Sequence, residues 1–159
     1  MMEAYVSILA GLVGEGVEFA VIGTWALKVH FPEAMRDYPI HDCDLVIWPE
    51  EENVRVAVRA LRSQGWKVTV WERELGPEFV FADLGGKFYL RARKEELTVD
   101  LTFECPIPWN EMAAGIEWRN GLPLASVGDI LDLKRRKARE AGTVEETEGF
   151  ISGILSIGK

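Results

Sequence analysis

Asp42 and Asp44 stand two residues apart at the entrance of the strand-like run Cys43 to Trp48. Strand alternation sends both carboxylates to one face, roughly 6.5–7 Å apart along the backbone. Two carboxylates held that close repel unless a cation neutralises them. A hard ion such as magnesium takes oxygen ligands and keeps waters for a substrate phosphate. Metal-assisted phosphoryl or nucleotidyl transfer is the use such a pair serves, although an isolated Asp-x-Asp more often caps a strand in a solvated loop. Two further features stand beside it. Asp100 lies within the strand-like LTVDLTF, flanked by Val99 and Leu101, where burying an unpaired carboxylate is costly and a cation shared with Asp42 and Asp44 would account for it. Gly23-Thr24 falls between a strand and a short helix, where a small residue lets backbone N–H groups approach an anion and the helix dipole favours phosphate. Taken singly, that turn reads as an ordinary strand-to-helix connection.

The elements that must hold these residues are legible in outline. Tyr5, Ile8, Leu9 and Leu12 recur at helical spacing, and Gly14 marks the end of that helix. Val17 to Ile22 is an apolar run bounded by glycines and reads as a buried strand, followed by a short helix from Trp25 to His30 that Pro32 ends. Glu50, Glu51 and Glu52 favour a helix N-terminus, and Val54, Ala57, Val58 and Leu61 give that helix its apolar face up to Gly65. Trp66 to Trp71, Lys87 to Arg93 and Leu97 to Phe103 alternate as half-buried strands, the last two as antiparallel neighbours across Lys94-Glu95-Glu96. Pro106 to Pro123 carries too many breakers to assign. Helices follow over Asp129 to Arg139 and, more weakly, Glu145 to Leu155. The expectation is an α/β (α+β) chain with a mixed sheet of about four or five strands flanked by helices, in one domain.

The order Val21-Ile22-Gly23-Thr24, then His41-Asp42-Cys43-Asp44-Leu45, then Val99-Asp100-Leu101 resembles the nucleotidyltransferase superfamily with the DNA polymerase β fold, in its minimal form. The chain is most similar in character to abortive-infection and toxin–antitoxin nucleotidyltransferases and to small antibiotic adenylyltransferases. Gly121 to Ser126 followed by Asp129 to Lys134 resembles their downstream segment, in which a lysine lies near the nucleotide. The resemblance implies catalytic metal ligands at Asp42, Asp44 and Asp100, with Asp100 alternatively activating the attacking hydroxyl. It also implies nucleotide binding at Gly23, Thr24 and Lys134. Magnesium, or manganese in its place, would be the cofactor, ATP or another NTP the donor, and a protein, RNA or small-molecule hydroxyl the acceptor. A cognate protein partner and a catalytically silent nucleotide-binding role are the alternatives the same families imply. The chain departs from them at Thr24, where a second glycine or a serine is usual, and at Tyr38-Pro39-Ile40-His41, which lengthens the approach to the acid pair.

Composition narrows the partners. The 159 residues carry 18 basic and 26 acidic side chains, for a net charge of -8, so counterion release cannot hold bulk DNA or RNA tightly. Cys43 and Cys105 form neither a metal-type pair nor a disulfide framework, which suits the cytoplasm. The apolar stretch Tyr5 to Val13 is too short to span a bilayer. Several residues keep two readings. Lys134 shares an apolar helical stripe with Ile130, Leu131 and Ala138, so it either reaches a phosphate or snorkels to water. Arg91 and Arg93 alternate beside the Asp100 strand, offering themselves to an anion or simply to solvent. His41, His30 and Glu104 read as structural or peripheral, and the six tryptophans as core.

Overall fold

The computed structural model describes residues 2–157. Helix α1 (Met2–Gly14) buries the expected stripe of Tyr5, Ile8, Leu9 and Leu12 and leads into strand β1 (Phe19–Ile22) and helix α2 (Gly23–His30). Strand β2 (Cys43–Ile47) follows, then helix α3 (Glu51–Ser63). The helix begins where the glutamate run predicts. The Glu50 carboxylate accepts from the backbone N–H groups of Glu52 at 3.2 Å and Asn53 at 2.9 Å, satisfying two of the N–H groups a helix start leaves unpaired. Strand β3 (Lys67–Val70) turns tightly into β4 (Arg73–Glu74); β5 (Tyr89–Lys94) and β6 (Leu97–Thr102) form the antiparallel pair.

The segment that resists assignment from sequence holds helix α4 (Trp109–Ala114) and strands β7 (Glu117–Arg119) and β8 (Leu122–Leu124). The chain ends in α5 (Val127–Ala141) and α6 (Val144–Ile157). The Ser126 hydroxyl caps α5 by accepting from the Asp129 N–H at 3.1 Å, and Gly142, at φ +72°, closes it in a left-handed turn.

Among the described residues the sheet has eight strands in the order β4-β3-β5-β6-β2-β1-β8-β7, more than the four or five expected. The surplus is β4, β7 and β8, which are two or three residues long and too short to show a period. Neighbours pair antiparallel except at β2/β6 and β1/β8. Alternation separates the two faces of β3, β5 and β6. Val68, Val70, Leu90, Ala92, Val99 and Leu101 point into the core, whereas Lys67, Arg91 and Arg93 are exposed on the other side. No described helix is long and apolar enough to cross a membrane.

One buried amide ties α3 to the start of β1 and the end of β2. The Asn53 carboxamide accepts from the Glu18 N–H at 2.9 Å and donates to the carbonyls of Glu18 at 3.0 Å and Trp48 at 3.1 Å. Asn53→Ala leaves these buried backbone groups unpaired and is expected to lower stability by about 2–4 kcal/mol in urea denaturation. A loss under ~0.5 kcal/mol would mean that water replaces the amide.

Candidate active site

Asp42, Asp44 and Asp100 meet on one side of the sheet. Each offers a carboxylate oxygen, and these oxygens all lie within 4.8 Å of one another. The sheet register accounts for the meeting: Asp44 and Asp100 are direct partners across the parallel β2/β6 pair, and Asp42 precedes β2 by one residue, on the same side as Asp44. The Cys43 side chain between them is buried in the core, and its thiol is pushed well up by burial and by the neighbouring carboxylates, so it takes no part in the polar cluster. The Asp44 carboxyl is pushed up to about 6, chiefly by burial, then by repulsion from Asp42 and Asp100, with Lys137 and Lys134 drawing it partly back. A donor set of carboxylate oxygens with repulsion to relieve suits a hard divalent cation and is ill matched to a soft one.

The loop over residues 31–42 that carries Asp42 is tied down at its midpoint. The Lys28 ammonium on α2 donates to the carbonyls of Tyr38 at 2.6 Å and Arg36 at 3.2 Å, and the Tyr38 ring meets Phe150 of α6 edge-on at 4.9 Å. The extra length before the acid pair is therefore held between α2 and α6. His41, beside Asp42, is exposed.

Gly23 opens α2 at φ +73°, beside the acids; a Cβ built there would lie 2.7 Å from Oδ2 of Asp44. No side chain caps this helix, so the positive end of its dipole faces outward uncapped. The Lys134 ammonium of α5 lies 3.4 Å from the Thr24 hydroxyl, and 5.7 Å above the Phe150 ring. Burial lowers its proton affinity, which Asp44 partly restores. Lys134 is thus held between α2 and α6, with its ammonium beside Thr24. A cavity of about 290 Å³ continues from Lys134 past Lys137, Tyr38, Thr147 and Phe150. Lys137 also lines this cavity; in the sequence it belongs to the basic run Lys134 to Arg139, which reads as a solvated helix face or a stretch that recruits RNA or an acidic partner, and only its three-residue spacing from Lys134 sets it apart. In that run, Arg135 pairs with Glu148 at 2.9 Å and Arg136 with Asp132 at 3.2 Å.

On the other side of the acids, Arg91 is the β5 partner of Asp100. Its Nε donates to Oδ1 at 2.7 Å and its Nη2 to Oδ2 at 3.4 Å. Arg93 lies two residues further along, exposed and outside the acid cluster. Glu104 is exposed past the end of β6 and does not join the three converging acids. His30 is buried, its Nε2 donating to the Ala125 carbonyl at 3.0 Å. Both cysteines are free.

The fold has solved counterparts. ANT(2″)-Ia, crystallised in complex with adenylyl-2″-tobramycin, superposes with a TM-score of 0.64 at 16% identity, covering 99% of this chain and 89% of that one. A candidate nucleotidyltransferase from H. pylori superposes with a TM-score of 0.50 at 10% identity, covering 82% of this chain and 55% of that one. No protein-family model matches the chain, and no curated protein matches it by sequence. The chain therefore has a nucleotidyltransferase-like fold, as its sequence order leads one to expect, and fold likeness at this identity speaks for architecture and not for substrate.

Proposed function

We propose that this chain is a metal-dependent nucleotidyltransferase that moves a nucleoside monophosphate from an NTP to an acceptor hydroxyl. The observation that carries the proposal is the convergence of Asp42, Asp44 and Asp100 within 4.8 Å beside the uncapped start of α2. Gly23, Thr24 and Lys134 would receive the triphosphate, with Lys137 beside them. Adenylyl-2″-tobramycin on the neighbour ANT(2″)-Ia favours ATP as the donor. Asp42, Asp44 and Asp100 would hold magnesium or manganese, which supplies positive charge where negative charge develops on the transferring phosphoryl group.

The acceptor hydroxyl oxygen forms a bond to the α-phosphorus as the bond from that phosphorus to the bridging β-phosphate oxygen breaks. Pyrophosphate departs with the bonding electron pair. Asp100, held in orientation by Arg91, takes the hydroxyl proton and passes it to water. Lys134 and the N–H groups of α2 neutralise the departing oxygens.

The test is transfer of label from α-labelled ATP into lysate components, with pyrophosphate release measured in parallel. Lys134→Ala should weaken magnesium–ATP binding about 10- to 100-fold, the range for a charge-assisted hydrogen bond, without unfolding the protein. Unchanged affinity in that variant would remove Lys134 from the site. The ion pair of Arg91 with both oxygens of Asp100 favours a second reading, a nucleotide-binding module without turnover. Saturable ATP binding with no pyrophosphate release in any lysate would select it.

A further inference from the structure

The face of the sheet beyond Asp100 carries a second cavity, of about 440 Å³, on the opposite side of the acids from Lys134. Cross-strand pairs of β3 and β5 line it, together with the turn that follows β3. Lys67 pairs with Arg93 at one end, Thr69 with Arg91 in the middle, and Trp71 lies 6.2 Å from Tyr89 at the other end, ring centre to ring centre. The middle pair continues directly through Asp100 to Asp44. The cavity thus has a cationic end, an aromatic end, and a centre at Arg91, whose guanidinium is bound to Asp100.

Its charge runs against that of the chain. The protein carries a net charge of -8, yet the lining holds Lys67, Arg91 and Arg93 against a single carboxylate, Glu72. Lys87 adds a further ammonium 4.8 Å above the Trp71 ring. Arg91 is paired to Asp100, whereas Lys67 and Arg93 have no side-chain hydrogen bond or ion pair among the described residues. Trp71 is 63% exposed and, with Glu72, forms the two-residue turn of the β3–β4 hairpin at φ +48° and +66°. Such turns favour Asn-Gly, and a bulky residue there costs about 1–2 kcal/mol. An exposed indole kept at a strained position points to a use other than folding.

We propose that this cavity is the acceptor site, and that the acceptor is a small anion carrying a planar ring and a phosphate. The ring stacks at Trp71 and Tyr89, the phosphate meets Lys67 and Arg93, and the acceptor hydroxyl lies between them toward Asp100. The volume falls in the range of small-molecule sites. A polycationic amino sugar such as tobramycin is repelled by the same lining. The assignment rests on the transferase reading above.

AMP, GMP, CMP and UMP are the probes, titrated calorimetrically into wild type, Lys67→Ala/Arg93→Ala, Trp71→Ala and Lys134→Ala, with magnesium–ATP and tobramycin titrated separately. At least one monophosphate should bind saturably, lose about tenfold or more in the double variant and several-fold in Trp71→Ala, and stay within about twofold in Lys134→Ala. Tobramycin should not bind. Lys67, Arg93 and Trp71 are exposed at the cavity rim, so circular dichroism of those variants should be unchanged. Monophosphate binding indifferent to the double variant, tobramycin binding in this cavity, or tighter binding of an RNA oligonucleotide than of any monophosphate overturns the proposal. If magnesium–ATP binding still responds to Lys134→Ala, such a failure leaves the transferase reading intact. Monophosphate binding here without any ATP binding overturns the acceptor assignment together with that reading.

Discussion

Asp44→Asn is expected to abolish transfer, by about a thousandfold or more, while making the metal-free protein more stable at pH 7.5. The two effects share one cause. In the folded chain the Asp44 carboxyl is pushed up to about 6, from an ordinary value of 3.8, by burial and by repulsion from Asp42 and Asp100. A raised acid pKa means that the folded state holds its proton over a pH range in which the unfolded state has lost it. Stability therefore falls as pH rises from about 4 to about 6, by on the order of 2–3 kcal/mol, and stays low above that window. Below pH ~4 both states are protonated and the effect vanishes. Asparagine removes the charge and with it the penalty, so the variant should exceed wild type in urea midpoint at pH 7.5 in EDTA and match it near pH 3.5. Magnesium should stabilise wild type and not the variant. Equal stability at both pH values would show that Asp44 is more hydrated than its position on β2 implies.

Gly23→Ala is the second large effect. At φ +73° a side chain costs about 1–2 kcal/mol in backbone strain, and the added methyl would lie 2.7 Å from the Asp44 carboxylate. The carboxylate must swing away or the start of α2 must shift, and either movement changes the spacing between the acids and α2 on which the proposed reaction depends. A displacement of about 1 Å is worth roughly a hundredfold in rate. Activity should fall by that factor or more, with a stability loss measurable as a lower urea midpoint. Gly16, at φ +77° with nothing within 4 Å of its built Cβ, is the control: alanine there should carry the strain and keep the activity.

The sequence foretells some of this geometry better than the rest. Parity alone puts Asp42 with Asp44, and the alternation of Val99 and Leu101 fixes which way Asp100 points. Which strand Asp100 lies beside is set by the crossover that makes β6 the parallel neighbour of β2, and no local pattern encodes that. Helix α3 is plain because its charge at the start and its apolar stripe agree. Strands β7 and β8 are hidden because three residues show no period and Pro123 argues against a strand until β8 is seen pairing in the sheet. The cationic cavity is invisible for a similar reason. Lys67 and Arg93 are separated by a hairpin and a 3-10 turn over Phe81–Leu84, and only the β3/β5 register makes them neighbours. Lys134 divides evenly between two readings in the sequence because a helical wheel does not say that α2 and α6 pack around its tip.

The strands β3, β5 and β6 keep their apolar residues on one side and Lys67, Arg91, Arg93 and Asp100 on the other. The charge of the outer face and the packing of the core are thereby written on alternate letters of the same segments. Exchanges at 67, 69 and 93 would change the charge of the outer face while leaving the hydrophobic layer beneath untouched.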